Sequence, residues 1–173
     1  MVRSYKNNVL VAYFSWSGNT RKIANQINKL VGGDIFEIQA VKEYPASYHD
    51  VLERAKQEIR SGAKPELQNR VLTPDIYETL FIGYPNWWST FPAPVLTFLS
   101  EYDFKGKTII PFCTHGGGGT GRSFNDISRQ CPKANVLNGF SINGYAVNEN
   151  NSELVEWLNA IKTVLNESSG YVL

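Results

Sequence analysis

The sequence predicts an α/β domain: a three-layer, doubly wound sheet of five parallel strands in the order 2-1-3-4-5. Three observations predict it. Runs of β-branched and aromatic residues with few charges recur along the chain, as suits strands covered on both faces. Stretches with apolar residues at helical spacing separate those runs, so strand and helix alternate. The strands then open into loops of unusual polar or glycyl composition, at the sheet edge where such folds bind ligands. A chain of 173 residues suits one domain spanning 1–173.

The elements follow in order. "VLVAYFS" (9–15) reads as the first strand. Ile23, Ala24, Ile27, Leu30 and Val31 mark the first helix, which "GG" (32–33) stops. "IFEIQ" (35–39) is the second strand, and Tyr48, Val51, Leu52, Ala55 and Ile59 mark a second helix ended by "SGAKP". Residues 61–77 form a long connection to the third strand, "TLFIGYP" (79–85). Pro92 and Pro94 open the third helix, with Val95, Leu96, Phe98 and Leu99 on its apolar side. "KTIIPFCT" (107–114) is the fourth strand, and a helix from about Arg122 to Gln130 follows. "NVLNGFSI" (135–142) is a weaker fifth strand. The last helix runs from Ser152 to about Leu165, with Leu154, Leu158, Ile161 and Leu165 inward, and the final six or so residues are expected to be a loose tail. Right-handed crossovers joining five such strands place a ligand at the switch point, beyond strands 1 and 3.

Composition narrows the function classes. Apolar residues make up 42% and charged residues 19%, and the net charge is +1. The basic residues are scattered, so neither a nucleic-acid surface nor a polybasic membrane surface is expected. No stretch approaches eighteen apolar residues, and the expectation is no membrane span and no signal peptide. Cys113 and Cys131 are not in a C-x-x-C arrangement and read as reduced thiols of a cytoplasmic protein.

Three strand-exit loops carry the chemistry. In 15–20, "SWSGNT", a helix N-terminus supplies outward N–H groups and a dipole that favours an anion. Ser15, Ser17 and Thr20 add hydroxyls, Asn19 adds an amide, and Gly18 permits close approach of the backbone. With no Lys in the loop, it suits a phosphate monoester on a larger ligand that has other anchors. Simple helix capping would need only one such residue. Loop 85–91, "PNWWSTF", sets Trp87 and Trp88 beyond a strand end, where one of them can stack on a flat aromatic ligand. Loop 114–121, "THGGGGTG", offers backbone donors for the polar edge of a heterocycle.

Spacing excludes several alternatives. Gly116, Gly118 and Gly121 fit G-x-G-x-x-G, but after the fourth strand, and no acid follows to take a ribose. No Gly-Lys pair precedes Ser or Thr as in a P-loop, and a Cys-x5-Arg phosphatase loop would need Arg where Gly119 stands. The third strand ends in Tyr84-Pro85, without the Asp of a phospho-receiver. His49 and His115 are far apart, and no metal site is expected.

Taken together, a phosphate loop without Lys, a tryptophan platform and a glycine edge resemble the flavodoxin-like FMN-binding proteins. Ser15-Trp16-Ser17-Gly18-Asn19-Thr20 matches that family's S/T-x-S/T-G-x-T loop. "GYPNWWSTFPAPVLTFL" (83–99) and "EYPASYHDVLERAKQEIRSGAKPEL" (43–67) look like segments of a bacterial flavodoxin subfamily, so the resemblance covers nearly the whole chain. It implies FMN as cofactor. Ser15, Ser17, Gly18, Asn19 and Thr20 would hold the phosphate. Pro85, Asn86, Trp87 and Trp88 would border the isoalloxazine ring. Thr114, His115, Gly116, Gly117 and Gly118 would meet its pyrimidine side.

The family contains carriers and enzymes. Carrier flavodoxins are typically acidic, whereas this chain is near neutral and has no carboxylate between Thr114 and Gly121. Donors near the ring favour two-electron hydride chemistry, and His115 is the candidate catalytic donor. Its bland alternative is a loop cap. Tyr44 and Tyr48 offer a cover for the flavin, with core packing as the bland reading of Tyr48. Cys113 reads as a buried thiol outside the chemistry. The expectation is a flavodoxin-like electron-transfer protein serving a redox partner. The alternative is an FMN-dependent NAD(P)H:quinone or nitro-type reductase acting on a small-molecule acceptor. A non-redox binding module is a third class. A homodimer is open.

Overall fold

The computed structural model describes residues 8–169, with side chains through Leu165. Its elements are β1 (Val9–Tyr13), α1 (Asn19–Val31), β2 (Asp34–Glu37), α2 (Tyr48–Ser61), β3 (Thr79–Pro85), α3 (Ala93–Glu101), β4 (Thr108–His115), α4 (Ser123–Gln130), β5 (Asn135–Val136), β6 (Phe140–Asn143) and α5 (Ser152–Ser169). All strand pairings within the sheet are parallel, in the expected order β2-β1-β3-β4-β5. Crossover helices cover both faces. Ile23, Ala24 and Ile27 of α1 join Leu154, Leu158 and Ile161 of α5 on one face. On the other, Val51 and Ala55 of α2, Val95 and Phe98 of α3 and Ile127 of α4 are buried. These apolar stripes hold the helices to the sheet, because each would otherwise leave its face in water.

The fifth strand differs from expectation: it is two short strands, both on the outer edge of β4. Pro111 explains the break. The Leu137 N–H donates to the Ile109 carbonyl at 2.9 Å. In a parallel ladder the Leu137 carbonyl would next accept from residue 111, and proline has no N–H to give. Gly139 crosses this gap closely; a Cβ there would lie 2.3 Å from the Pro111 carbonyl oxygen.

Two helix faces also depart from their periodicity. Leu30 is 43% exposed and Tyr48 is 67% exposed, so neither packs in the core. The last helix continues to Ser169, past the expected end near Leu165. Residues 1–7 and 170–173 lie outside the described residues, and most of the expected tail is among them. The connection 61–77 holds a short 3₁₀ turn, Pro74–Ile76, and an antiparallel bridge between Ala40 and Leu67. Among the described residues, no helix is long and apolar enough to cross a membrane, and no group of three His, Cys, Asp or Glu side chains is placed to hold a metal ion.

Candidate functional site: the carboxyl edge of the sheet

The three chemically loaded loops meet at the carboxyl ends of β1, β3 and β4. Parallel pairing of β1 with β3 and of β3 with β4 sets the loop after Tyr13 beside the loop after Pro85, and that beside the loop after His115.

Ser15 shapes the first loop. Its Oγ accepts from the N–H groups of Gly18 and Arg21, each at 3.2 Å, and so curls the chain into the start of α1. Gly18 turns at φ +93°, a left-handed conformation that favours glycine. No side chain caps the helix at this position. Among the described residues, the N–H groups of Ser17, Asn19 and Thr20 make no hydrogen bond, nor do the Ser17 hydroxyl and the Asn19 amide. The result is a cluster of unengaged neutral donors at a positive helix end, suited to an anion.

Thr20 and Thr114 are placed differently from the other loop residues. Both are buried, and their hydroxyls bond to one another at 2.8 Å. Thr114 therefore braces the first loop with its side chain instead of presenting it at the mouth of β4.

In the second loop, Asn86 bridges to the third. Its N–H donates to the Thr114 carbonyl at 2.8 Å, and its Nδ2 donates to the Gly119 carbonyl at 2.6 Å. That orientation leaves Asn86 Oδ1 buried with no partner in the protein. A buried acceptor without a donor is costly, so the site awaits a ligand N–H or O–H. The next four residues form a tight turn closed by reciprocal N–H to carbonyl bonds between Trp87 and Thr90 at 2.9 and 3.1 Å. Its central residues, Trp88 and Ser89, have φ of +53° and +66°, a turn normally reserved for Asn and Gly.

The tryptophans take distinct places. Trp87 is 6% exposed and meets the rings of Phe14 and Tyr44 edge-on at centroid distances of 5.4 and 5.2 Å. Trp88 is 43% exposed, and its Nε1 donates to the Leu52 carbonyl of α2 at 2.8 Å. Trp16 of the first loop is half-buried, pinned by Nε1 to the Pro45 carbonyl at 3.0 Å, with Tyr48 6.2 Å away. The outward indoles are thus Trp16 and Trp88. Tyr44 is committed inward: its hydroxyl donates to Glu58 at 2.6 Å, and Arg54 lies 3.9 Å from its ring centre. Burial, reinforced by the Glu58 carboxylate, raises the Tyr44 phenol far above its ordinary range.

The third loop is open. Gly116, Gly117 and Gly118 are exposed, and a Cβ on Gly116 or Gly117 would meet nothing within 4 Å. Nδ1 of His115 accepts from the Gly117 N–H at 3.1 Å, which puts the imidazole proton on Nε2 and turns a donor outward. His115 therefore caps its own loop, and its Nε2 makes no hydrogen bond among the described residues. At the far end, the Ser123 hydroxyl donates to the Thr120 carbonyl at 2.7 Å and accepts from Tyr84 at 3.1 Å.

A fourth loop was not foreseen. Gly144, just after β6, packs so closely on loop 15–20 that a Cβ there would lie 2.6 Å from Asn19 Nδ2 and 3.7 Å from the His115 carbonyl oxygen. The only sequence signal is the dipeptide Asn143-Gly144, where the Asn143 Oδ1 accepts from the Tyr145 N–H at 3.0 Å.

An open parallel sheet with unengaged donors at a helix N-terminus, partly exposed indoles and a glycine loop at its carboxyl end has the layout of the doubly wound folds that bind nucleotides. A family model described as Flavodoxin matches residues 8–161. The chain belongs to the flavodoxin family. A solved structure from Bacteroides uniformis, provisionally named a flavoprotein, is 31% identical with a TM-score of 0.79, covering 88% of this chain and 98% of that one. A similarly named protein from Bacteroides eggerthii is 29% identical with a TM-score of 0.76, covering 90% and 98%. A flavoprotein from Lactobacillus acidophilus in complex with FMN is 23% identical with a TM-score of 0.69, covering 78% and 93%. No curated protein matches the sequence. The residues fit FMN, the cofactor that the sequence resemblance implies: the unengaged donors of Ser17, Asn19 and Thr20 suit its phosphate, and the orphaned Asn86 Oδ1 suits a donor on the rest of the molecule.

Proposed function

We propose that this protein transfers electrons through bound FMN. The observation that carries the reading is the unengaged donor cluster of Ser17, Asn19 and Thr20 at the exit of β1, with the unpaired Asn86 Oδ1 at the exit of the neighbouring strand β3. FMN supplies the redox centre; the chain supplies position and environment. Ser15 holds the loop curled, and the Ser17 hydroxyl, the Asn19 amide and the free N–H groups bind the phosphate. Pro85, Asn86 and Trp88 border the ring system, with Trp16 as a further indole and Trp87 supporting from below. His115 Nε2–H and the N–H groups of Gly116 and Gly118 face the pyrimidine side, with Gly117 holding the imidazole in place.

The His115 donor and the absence of any carboxylate between Thr114 and Gly121 favour a second reading, a two-electron reductase using NAD(P)H and a small-molecule acceptor. The deciding experiment is an anaerobic reductive titration of the FMN-loaded protein followed by absorbance. Two resolved one-electron steps support a carrier serving a redox partner protein. A single two-electron step, with bleaching by NADPH alone, supports the reductase. Failure to bind FMN overturns both.

A further inference from the structure

Of the two basic residues that follow loop 15–20, Arg21 and Lys22, the fold pairs the first with a carboxylate. Arg21 follows Thr20 directly, and its main-chain N–H belongs to the cradle through the bond to Ser15 Oγ. Its guanidinium, however, is ion-paired with Glu37, the last residue of β2. Glu37 reaches that position because β2 pairs with β1 in a register that sets it opposite Tyr13. The two side chains are 46% and 25% exposed, so the pair sits in the rim of the site and within reach of solvent ions.

We infer that Glu37 sets the charge of the phosphate subsite, and through it the preference of the protein for phosphorylated over unphosphorylated flavin. This rests on the reading that loop 15–20 holds the FMN phosphate. An Arg side chain rooted in the first turn of α1 lies within about one screening length, roughly 8–10 Å, of an anion held by that turn. Paired with Glu37, Arg21 adds little net charge to the cradle, and binding leans on the neutral donors, the helix end and the exposed Lys22 that follows it. Unpaired, the same guanidinium would attract the phosphate; an unpaired Glu37 would repel it. The two members of one ion pair therefore act on phosphate binding with opposite sign.

That opposition is the test. Dissociation constants for FMN and riboflavin are measured at low salt by quenching of flavin fluorescence, for the wild type, Glu37→Gln, Arg21→Gln and the double variant. Rim ion pairs contribute little to stability, so all four proteins fold. Glu37→Gln should raise the preference for FMN over riboflavin by about threefold to tenfold, and Arg21→Gln should lower it by a similar factor. The double variant should return to the wild-type ratio, and salt near ~1 M should flatten all differences. Riboflavin affinity alone should stay constant. Single variants that shift the ratio in the same direction, or not at all, would overturn the inference while leaving the phosphate site standing. A wild type that binds FMN no better than riboflavin would overturn the phosphate site itself, and the inference with it.

Discussion

The hydroxyls of Thr20 and Thr114, ninety-four positions apart in sequence, share a 2.8 Å hydrogen bond at the carboxyl edge of the sheet. Thr20 lies in the first turn of α1 and Thr114 is the penultimate residue of β4, so the bond ties loop 15–20 to the end of the strand that leads into the glycine loop. Both residues are buried, at 1% and 4% exposure, and neither hydroxyl has another partner. Removing one hydroxyl strands the other. Thr114→Val should therefore destabilise the protein by about 1–3 kcal/mol, and the Thr20→Val/Thr114→Val double variant by clearly less than the sum of the single changes. Urea denaturation of the four proteins measures this; additive losses would contradict the pairing.

The turn that carries Trp88 is built from the wrong residues for its shape. Trp88 and Ser89 both adopt positive φ, and the Ser89 carbonyl accepts from the Arg122 N–H at 2.8 Å, so the turn is clamped to the start of α4. Backbone strain of this kind persists where surrounding contacts over-determine it. Ser89→Gly keeps the carbonyl and removes the Cβ penalty, offset in part by the greater freedom of glycine in the unfolded chain. It should stabilise the protein by about 0.5–1 kcal/mol in thermal or chemical denaturation. A loss of stability would mean that the Ser89 side chain makes a contribution larger than the strain it imposes.

The parts of the fold that were legible in sequence are those set by continuous burial. The third strand is legible at 79–85, the bounds it has in the structure, because its interior from Leu80 to Tyr84 is an unbroken buried run. The fifth strand is not, because its break originates in Pro111 of a different strand. Tyr48 resembles a core residue by spacing, yet it lies in the first turn of α2 and faces outward beside Trp16. At the candidate site, the composition of 15–20, 85–91 and 114–121 singled out three loops that leave neighbouring strand ends. Roles within them depended on contacts that local sequence does not encode: Thr114 turned inward to Thr20, and Trp87 was enclosed by Phe14 and Tyr44.

The two cysteines predict a pH dependence. Burial pushes the Cys113 thiol up to about 12 and the Cys131 thiol up to about 11, from an ordinary value of 9.0. The folded state thus holds these protons more tightly than the unfolded state. Their contribution to stability is fully present below pH 9 and is lost as pH rises through 11 and 12. Between pH 9 and 10 each thiol should remove up to about 1.4 kcal/mol. Urea melts across that range should show the decline, and the Cys113→Ala/Cys131→Ala variant should show a shallower one. The same burial predicts that neither thiol reacts with an aromatic disulfide reagent at pH 8 until the protein is unfolded.

Gly144 gives the sharpest test of the proposed phosphate cradle, because it packs on Asn19 without belonging to loop 15–20. A Cβ at this position would lie 2.6 Å from Asn19 Nδ2, which is closer than real contacts allow. The obstructed atom is the end of a side chain, so Asn19 can move aside while the backbone stays in place. Gly144→Ala should therefore leave the melting temperature close to that of the wild type and turn the Asn19 amide out of its position. If that amide is one of the phosphate donors, losing a hydrogen bond to a charged group should weaken FMN binding by about tenfold or more, with riboflavin much less affected. Asn19→Ala should show the same selective loss, and combining the two substitutions should add little. A folded Gly144→Ala protein that binds FMN as the wild type does would remove Asn19 from the cradle and leave the phosphate to Ser17 and the main-chain N–H groups.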